Sequence, residues 1–534
     1  MKKNILHILL SAGLLTGLSS CNKYLDVLPD NRAELNNTEK IGKLLTSAYP
    51  ENSYALLAEM SSDNVDDFGK TMTGYSRFTE QIFAWEDITE SNNDGIDNIW
   101  SAGYGAIASA NAALQAIDEA GNPSSLSGQR GEALLARAYN HWILVNIFAQ
   151  NYSKKFSSTD LGITYMTKGE TSLNPKYTRN TVEEVYNYIK QDVEEGLPLI
   201  NDGIYANSSV SKYHFNKRAA YTFAARVALF MEDWENAVKY ASVALNNNPI
   251  ETLRDYATIA SFSASGANMG REYNASSIKA NFLIATAYSA LGTSFGTGGY
   301  TTNNRFNHGW PIARTETIFA RNIYGTTGSS AAYRMKAFGY VAATVNKVFV
   351  PRVVYMFEYT DPVAGTGYSK AVLSPITSEE ALLTRAEANI HLKRNAEAIA
   401  DMQIYINNNT LISPLTISEA SINTWANSFD YFTPTAPTPK KKLNPDFDFE
   451  KNSTQENMIH ALLSLKRFET LHTGFRWFDV KRYGIEITRR EVSGANSGAL
   501  TFTPLDNTLK VRDNRRAIQL PQDVINAGLT KNPR

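Results

Sequence analysis

The chain has 534 residues, 43% of them hydrophobic, which is enough to bury a large core. Lysine and arginine total 52 against 53 aspartate and glutamate residues, so the chain lacks the basic excess expected of a nucleic-acid-binding protein. Cys21 is the only cysteine, which excludes an internal disulfide and a thiolate metal site.

The first 20 residues have the layout of a bacterial lipoprotein signal peptide. Lys2 and Lys3 precede an apolar run from Ile5 to Leu15, and small residues lead into Cys21. Cleavage before Cys21 would free it to carry a diacylglycerol and an N-acyl chain such as palmitate, and more than one chain anchors a protein durably. We therefore predict that Cys21 is lipidated. No stretch after the signal is apolar enough to cross a membrane.

Apolar residues recur at helical spacing in two segments of the N-terminal half. One segment covers about 100–120 and ends at a Gly-Asn-Pro breaker, and the other covers 132–152. Each segment places its apolar side chains on one stripe, as a helix packed on a core requires. The pattern predicts a pair of antiparallel helices.

Two further segments match tetratricopeptide repeats. In residues 218–249, two helical stretches are separated by a turn, and Ala237 and Ala244 stand at the offsets where paired helices approach closely. A related unit covers 378–407. Helical repeats stack into a solenoid whose inserted loops gather on one face. That face is where we expect a binding site.

The middle of the chain, about 264–361, differs in composition from these repeats. Glycine, serine, threonine, asparagine and aromatic residues dominate it, with short β-favouring runs such as 348–359. Residues 63–98 and 432–453 share this character. We expect all three segments to be irregular insertions on the helical scaffold, with a little sheet.

Sequence motifs for catalysis fail on their context. Residues 292–296 match the expression of a hydrolase nucleophile elbow, but a Gly/Thr/Asn-rich loop follows Ser294 where that motif requires a helix. No two histidines stand at the spacing of metal ligands on a helix. We predict no catalytic residue, no metal site, no cofactor and no enzyme activity. Carboxylate and amide residues at 63–67 and 92–94 leave a structural Ca²⁺ or a polar ligand as alternatives to solvated loops.

Residues 467–482 read RFETLHTGFRWFDVKR, and this segment strongly resembles the C-terminal signature of the SusD/RagB family of outer-membrane lipoproteins. The tail at 518–533 resembles that family's ending. The family's other marks follow in order: Cys21 with the Tyr-Leu-Asp that follows it, the W-x-x-x-Y-x-x-I-x-x-x-N helix at 100–111, and the helix at 133–151. Thr473 departs from the family, which usually carries a glutamate there, and the central region does not align.

The side chains of this signature also have a physical interpretation. Trp477 and Phe478 are expected to anchor a helix. Glu469, Arg476 and Asp479 are placed to form a semi-buried charged network with a structural role.

Together the periodicity and the resemblance predict a mostly α fold. A tetratricopeptide-like scaffold is expected at about 30–250 and 370–534, with a loop-rich ligand-binding insertion at about 264–361. After the signal peptide at 1–20, residues 21–534 are expected to form a single SusD-like domain.

The resemblance implies a cell-surface, lipid-anchored outer-membrane protein that binds an oligosaccharide. It implies capture of polysaccharide fragments and their delivery to a SusC-like TonB-dependent transporter, without catalysis. In this interpretation the chain serves polysaccharide utilisation and nutrient uptake.

Candidate ligand-binding residues come from the non-repeat insertions, because aromatic rings there can stack on sugars and polar groups can bind hydroxyls. Trp85 and Trp310 are equally well explained as loop anchors buried against the scaffold. The aromatic candidates are Trp85, Tyr75, Tyr300 and Trp310, and the polar candidates are Asn64, Asp67, Asn93, Asn304 and Arg305.

Three other functions compete with glycan binding. The same architecture could bind peptides or another non-carbohydrate nutrient, as a RagB-like protein. A surface hydrolase requires a paired acid and base that the sequence does not reveal. A pure assembly scaffold would bind a transporter but no ligand.

Overall fold

Helices dominate the fold, and short sheets join them, in a computed structural model of the chain. The structure describes residues 35, 37–170, 175–261, 265–298, 304–323, 333–342, 345–411, 416–494 and 500–534. The predicted signal peptide, Cys21 and Tyr300 lie outside the described residues.

Local sequence sets where the helices begin. Ser76 and Thr181 each form a capping box, in which the side chain accepts a hydrogen bond from the first turn and the third helical residue bonds back. The helices are α1 Thr38–Leu45, α2 Ala55–Ser61, α3 Arg77–Ala84, α4 Ile96–Glu119, α5 Ser127–Phe148, α6 Val182–Gly196, α7 Lys217–Phe230, α8 Trp234–Ala244, α9 Pro249–Thr252, α10 Tyr256–Ser261, α11 Gly266–Tyr273, α12 Leu291–Ser294, α13 Trp310–Thr315, α14 Ser378–His391, α15 Asn395–Asn409, α16 Glu419–Asn427, α17 Thr454–Glu469, α18 Phe475–Arg482 and α19 Gln522–Asn526.

The two long helices predicted in the N-terminal half are confirmed as α4 and α5, which pack against each other. Gly103 allows their close approach, because a Cβ added there would lie 3.0 Å from the side chain of Leu144. Nearly every residue of α5 is buried, so this helix forms the centre of the core.

Both predicted repeat units are confirmed as helical pairs, α7 with α8 and α14 with α15. Each pair turns through a residue with positive φ, Glu232 in the first and Lys393 in the second. Ala237 and Ala244 are buried in the first pair, as close packing requires. Because α8 also packs against α14, the repeats on either side of the middle segment form one scaffold.

Three sheets connect parts of the chain that are distant in sequence. β1 pairs antiparallel with β3 and parallel with β8, and β8 pairs antiparallel with β9. A second sheet has the order β2-β7-β6, and β4 pairs with β5. The strands are β1 Asp66–Asp67, β2 Asn281–Tyr288, β3 Phe306–Asn307, β4 Phe338–Ala342, β5 Val345–Phe349, β6 Val354–Asp361, β7 Thr366–Thr377, β8 Ile487–Ser493 and β9 Thr501–Leu509.

The strands correct two expectations about the insertions. Sheet is not confined to the middle, because β8 and β9 lie in the C-terminal scaffold and pair with β1. Residues 63–98 contain the helix α3, whose apolar face is buried, so they are not wholly irregular. Residues 432–453 have no helix or strand, as predicted.

The C-terminal signature forms the end of α17, a tight turn and α18. Gly474 has a φ of +80° in that turn, and a Cβ added there would lie 2.9 Å from the carbonyl oxygen of Ala55. Trp477 and Phe478 are buried, as predicted. The predicted charged network is also buried, but its members pair with other residues: Arg476 with Asp63 at 2.7 Å, Asp479 with Lys466 at 2.8 Å, and Glu469 with Tyr405 at 2.8 Å.

Candidate functional site

Four of the predicted ligand-binding residues lie together where β1 meets β3. Asp67 ends β1 and pairs with Phe306 of β3, directly after Arg305. A parallel bridge between Gly74 and Asn304 brings the loop that carries Tyr75 to the same place. We call Asp67, Tyr75, Glu80, Asn304 and Arg305 the Tyr75 patch.

Arg305 is the centre of the Tyr75 patch. Its guanidinium donates two hydrogen bonds to the carboxylate of Asp67, at 2.8 and 2.7 Å, and a third to Glu80 at 2.8 Å. These hydrogen bonds to Asp67 raise the pKa of Arg305. Both members of the pair are buried, so Arg305 and Asp67 fix the geometry of the patch.

Tyr75 is the exposed aromatic ring of the patch, with 39% of its surface accessible. The Arg305 guanidinium lies 4.9 Å from its ring centroid, and Phe306 contacts it edge-on at 6.4 Å. Phe306 in turn stacks on buried Phe83 at 4.5 Å. Tyr75 is therefore held on a rigid base and still exposes part of its ring.

Asn304 and Glu80 supply polar groups beside this ring. The amide of Asn304 is half-buried and donates a long hydrogen bond, 3.4 Å, to the carbonyl oxygen of Ser294. The carboxylate of Glu80 is 43% exposed. An exposed ring flanked by an amide and a carboxylate can stack on one face of a ligand and hydrogen-bond its edges.

Trp85 and Asn64 require correction, because the structure places both inside the protein. Trp85 is 6% exposed, its indole nitrogen donates to the carbonyl oxygen of Ser61 at 2.9 Å, and the Arg489 guanidinium lies 4.0 Å from its ring. Asn64 has no exposed surface and accepts a hydrogen bond from Arg467 at 2.8 Å. Both side chains therefore hold the fold together.

The remaining predicted residues have other contacts or lie outside the described residues. Trp310 is half-buried and packs edge-on against Phe319 at 4.8 Å. Asn93 is half-buried, and its carbonyl oxygen accepts a hydrogen bond from Asn52 at 2.8 Å. Tyr300 falls in the segment that the structure does not describe.

A second exposed aromatic group was missed by sequence reasoning. Tyr288 of β2 and Tyr368 of β7 meet at 5.7 Å, and the Lys370 ammonium lies 4.4 Å from the Tyr288 ring. Tyr368 is 49% exposed, and Lys370 forms an ion pair with Glu358 across the sheet. The sequence analysis began the C-terminal helical scaffold at about 370 and assigned no strand to residues 366–377, so it did not consider Tyr368.

The carboxylates at 63–67 are paired with arginines. Each carboxylate accepts two hydrogen bonds from one guanidinium. At Asp63, burial raises the pKa, but the positive charges of Arg467 and Arg476 outweigh burial and hold the pKa well below its usual range. Within the described ranges, no three His, Cys, Asp or Glu side chains are grouped to hold a metal ion. The pairs are Asp63–Arg476, Asp66–Arg490 and Asp67–Arg305.

Ser294 does not have the geometry of a nucleophile elbow. It is the last residue of the short helix α12, whereas that motif places its serine on a turn from a strand into a helix. The match of 292–296 to the hydrolase expression is therefore one of composition.

Comparison with known proteins places this architecture. A family model, SusD-like_3, described as "Starch-binding associating with outer membrane", matches residues 23–229. A SusD superfamily protein from Bacteroides thetaiotaomicron VPI-5482 is 17% identical with a TM-score of 0.60, and the match covers 93% of this chain and all of that one. Residues 23–229 therefore match the SusD-like family model, and the chain shares its fold with SusD superfamily proteins.

Other solved structures share the fold of this chain. A putative sugar binding protein from Bacteroides vulgatus ATCC 8482 is 16% identical with a TM-score of 0.61, covering 94% of this chain and 99% of that one. A SusD superfamily protein from the same organism is 15% identical with a TM-score of 0.63, covering 93% and 99%. No curated protein sequence matches the chain.

None of the helices in the described ranges is long and apolar enough to cross a bilayer.

Proposed function

We propose that the protein is a cell-surface lipoprotein that binds an oligosaccharide and delivers it to a SusC-like TonB-dependent transporter in the outer membrane. The Tyr75 patch is the observation that carries the binding role. It presents an exposed ring on a rigid base, with an amide and a carboxylate at its edge.

Sugar rings suit such a patch because their C–H faces are apolar and their edges carry hydroxyls. Tyr75 would stack on the C–H face, while Asn304 and Glu80 would hydrogen-bond hydroxyls. Arg305 and Asp67 would act as positioning residues, since their hydrogen bonds are already used within the protein. Little ordering of side chains is needed on binding, which favours affinity.

Weak binding is sufficient for this role. A Kd between about 1 mM and 1 μM corresponds to roughly −4 to −8 kcal/mol. Tethering at a transporter would raise the local concentration of ligand there without any new contact.

The comparisons support the ligand class and the location. The matching family model is described as starch-binding and outer-membrane associated, and a structure with the same fold is named as a putative sugar binding protein. We propose a lipid anchor on Cys21 from the signal-like sequence before it. Labelling with a palmitate analogue tests the anchor, because label that survives Cys21→Ala would contradict it.

Isothermal titration of the lipid-free chain, residues 22–534, tests the binding role. This chain contains every described residue, and it would be titrated with plant, host and microbial oligosaccharides and with a peptide digest. We expect saturable heat with one glycan class, and hydrogen-exchange protection at 66–80 and 304–307 in its presence. Heat from peptides alone would favour a peptide-binding function, and protection that excludes both segments would remove the Tyr75 patch from the site.

A further inference from the structure

A cleft of about 700 Å³ lies along one face of α4, away from the residues of the Tyr75 patch. Ligand sites in proteins have volumes of roughly 300–1,000 Å³. The floor runs from Trp100 to Asn111, which is about 16 Å along the helix. Its described walls come from residues within 164–170 and 175–177 and from the C-terminal residues Val524, Ala527 and Leu529.

Two aromatic rings form the floor of this α4 cleft. Trp100 and Tyr104 are one helical turn apart, and their ring centroids are 4.9 Å apart with the planes inclined by 47°. Phe148 packs edge-on against Trp100 at 5.0 Å, and the Tyr104 hydroxyl donates to the carbonyl oxygen of Thr164 at 2.8 Å. Both rings are therefore fixed, and both remain partly exposed along the cleft.

The rim of the α4 cleft is positively charged. Lys168 and Lys176 are exposed, and neither ammonium contacts a carboxylate or a hydrogen-bond acceptor among the described residues. Glu170, the acidic residue of the lining, accepts a hydrogen bond from the Tyr177 hydroxyl. Two exposed lysine ammonium groups above an aromatic floor are suited to a ligand with a flat apolar face and a negative group.

The Tyr75 patch has the opposite charge balance. Its one cation, Arg305, is surrounded by the carboxylates of Asp67 and Glu80. A ligand carboxylate would meet repulsion from Glu80 at that surface, whereas a neutral sugar would not. The two sites therefore differ in the charge of the ligand that they accommodate.

We infer that the α4 cleft is a second saccharide site, which takes a sugar residue carrying a carboxylate. This inference rests on the proposed function and adds a substrate class to it. The ring of the acidic sugar would lie against Trp100 and Tyr104, and its carboxylate would pair with Lys168 and Lys176.

The test compares acidic oligosaccharides with their neutral methyl esters, which keep the same rings. Trigalacturonate, a hyaluronan oligosaccharide and sialyllactose would be titrated into the lipid-free chain. For at least one of them we expect binding that is lost on esterification. We also expect Lys168→Ala/Lys176→Ala to weaken it about tenfold or more, which is about 1.4 kcal/mol, because both charge-assisted hydrogen bonds to the carboxylate would be lost. Lys239→Ala/Lys442→Ala changes two exposed lysines elsewhere and should leave binding unchanged.

Hydrogen exchange locates the binding and separates the two claims. We expect an acidic ligand to protect 164–170 and 175–177. Equal affinity for acid and ester, indifference to Lys168→Ala/Lys176→Ala, or protection confined to 66–80 would each overturn the second site. In those cases, binding of a saccharide at the Tyr75 patch would leave the proposed function intact. If no saccharide gave heat, both the second site and the proposed function would be overturned.

Discussion

Replacing Arg305 by glutamine should destabilise the fold strongly, because it leaves a buried charge without its partner. In the native protein Asp67 is 2% exposed and accepts both of its charge-assisted hydrogen bonds from this guanidinium. After Arg305→Gln, the Asp67 carboxylate would still accept a hydrogen bond from the backbone N–H of Gly69, at 2.8 Å, but its charge would have lost the guanidinium. Breaking a buried pair in this way costs about 3–5 kcal/mol.

The double variant shows whether that cost belongs to the pair. Asp67→Asn removes the stranded charge, so Asp67→Asn/Arg305→Gln should cost clearly less than the two single variants together. We expect a coupling of about 1.5–3 kcal/mol, at the upper end for residues in contact. Arg130 and Asp118 provide a control pair: their side chains are 2.6 Å apart but more exposed to solvent. We expect their coupling to be below about 1 kcal/mol.

Urea denaturation followed by circular dichroism measures the unfolding free energy of the native protein, the two single variants and the double variant for each pair. The slope of unfolding free energy against urea should stay constant across the variants, so that midpoint changes report stability. A cost below about 1 kcal/mol for Arg305→Gln, with a coupling equal to that of the Arg130 control pair, would refute the claim that Arg305 and Asp67 form a buried positioning pair.

Three further predictions concern stability elsewhere in the fold. Burial raises the pKa of Asp94 to about 6. Its contribution to the free energy of unfolding is therefore fully present below about pH 3.9, where the carboxyl is protonated in both the folded and the unfolded state. About 3 kcal/mol of that free energy is lost as the pH rises through 6. The free energy of unfolding of Asp94→Asn, relative to that of the native protein, should therefore be higher at pH 8 than at pH 4. Parallel pH profiles of the two proteins would contradict this. Trp85→Ala should cost about 3–5 kcal/mol in urea denaturation and leave saccharide affinity unchanged, and lost affinity in a folded variant would return Trp85 to the site. Gly474→Ala should cost about 2–4 kcal/mol, through positive φ and contact with the Ala55 carbonyl. Gly121→Ala, with φ of +82° and open space around it, should cost less, and equal costs would show that the contact is unimportant.

The helical scaffold was predictable because its signals are local. Periodic apolar residues and small residues at repeat offsets define α4, α5 and the two repeat pairs within short windows of sequence. The burial of Trp477 followed in the same way, from a signature contained in 16 residues.

Exposure of the aromatic residues was not predictable, because it depends on partners far along the chain. Trp85 is buried by Arg489, and Asp67 meets a guanidinium 238 positions away. Composition placed Trp85 and Tyr75 in the same insertion, but only the pairing of β1 with β3 and β8 separates the buried ring from the exposed one. Tyr368 was hidden because its strand runs directly into α14.

A titration of matched tyrosine variants tests most directly whether the Tyr75 patch binds saccharide. Tyr75 and Tyr188 are 39% and 41% exposed, but Tyr188 lies on α6 of the helical scaffold. With the neutral saccharide that gives the largest heat, we predict that Tyr75→Ala weakens binding by about 1 kcal/mol or more, roughly fivefold, and that Tyr188→Ala leaves it unchanged. Equal affinity of the two variants and the native protein would contradict the proposed site.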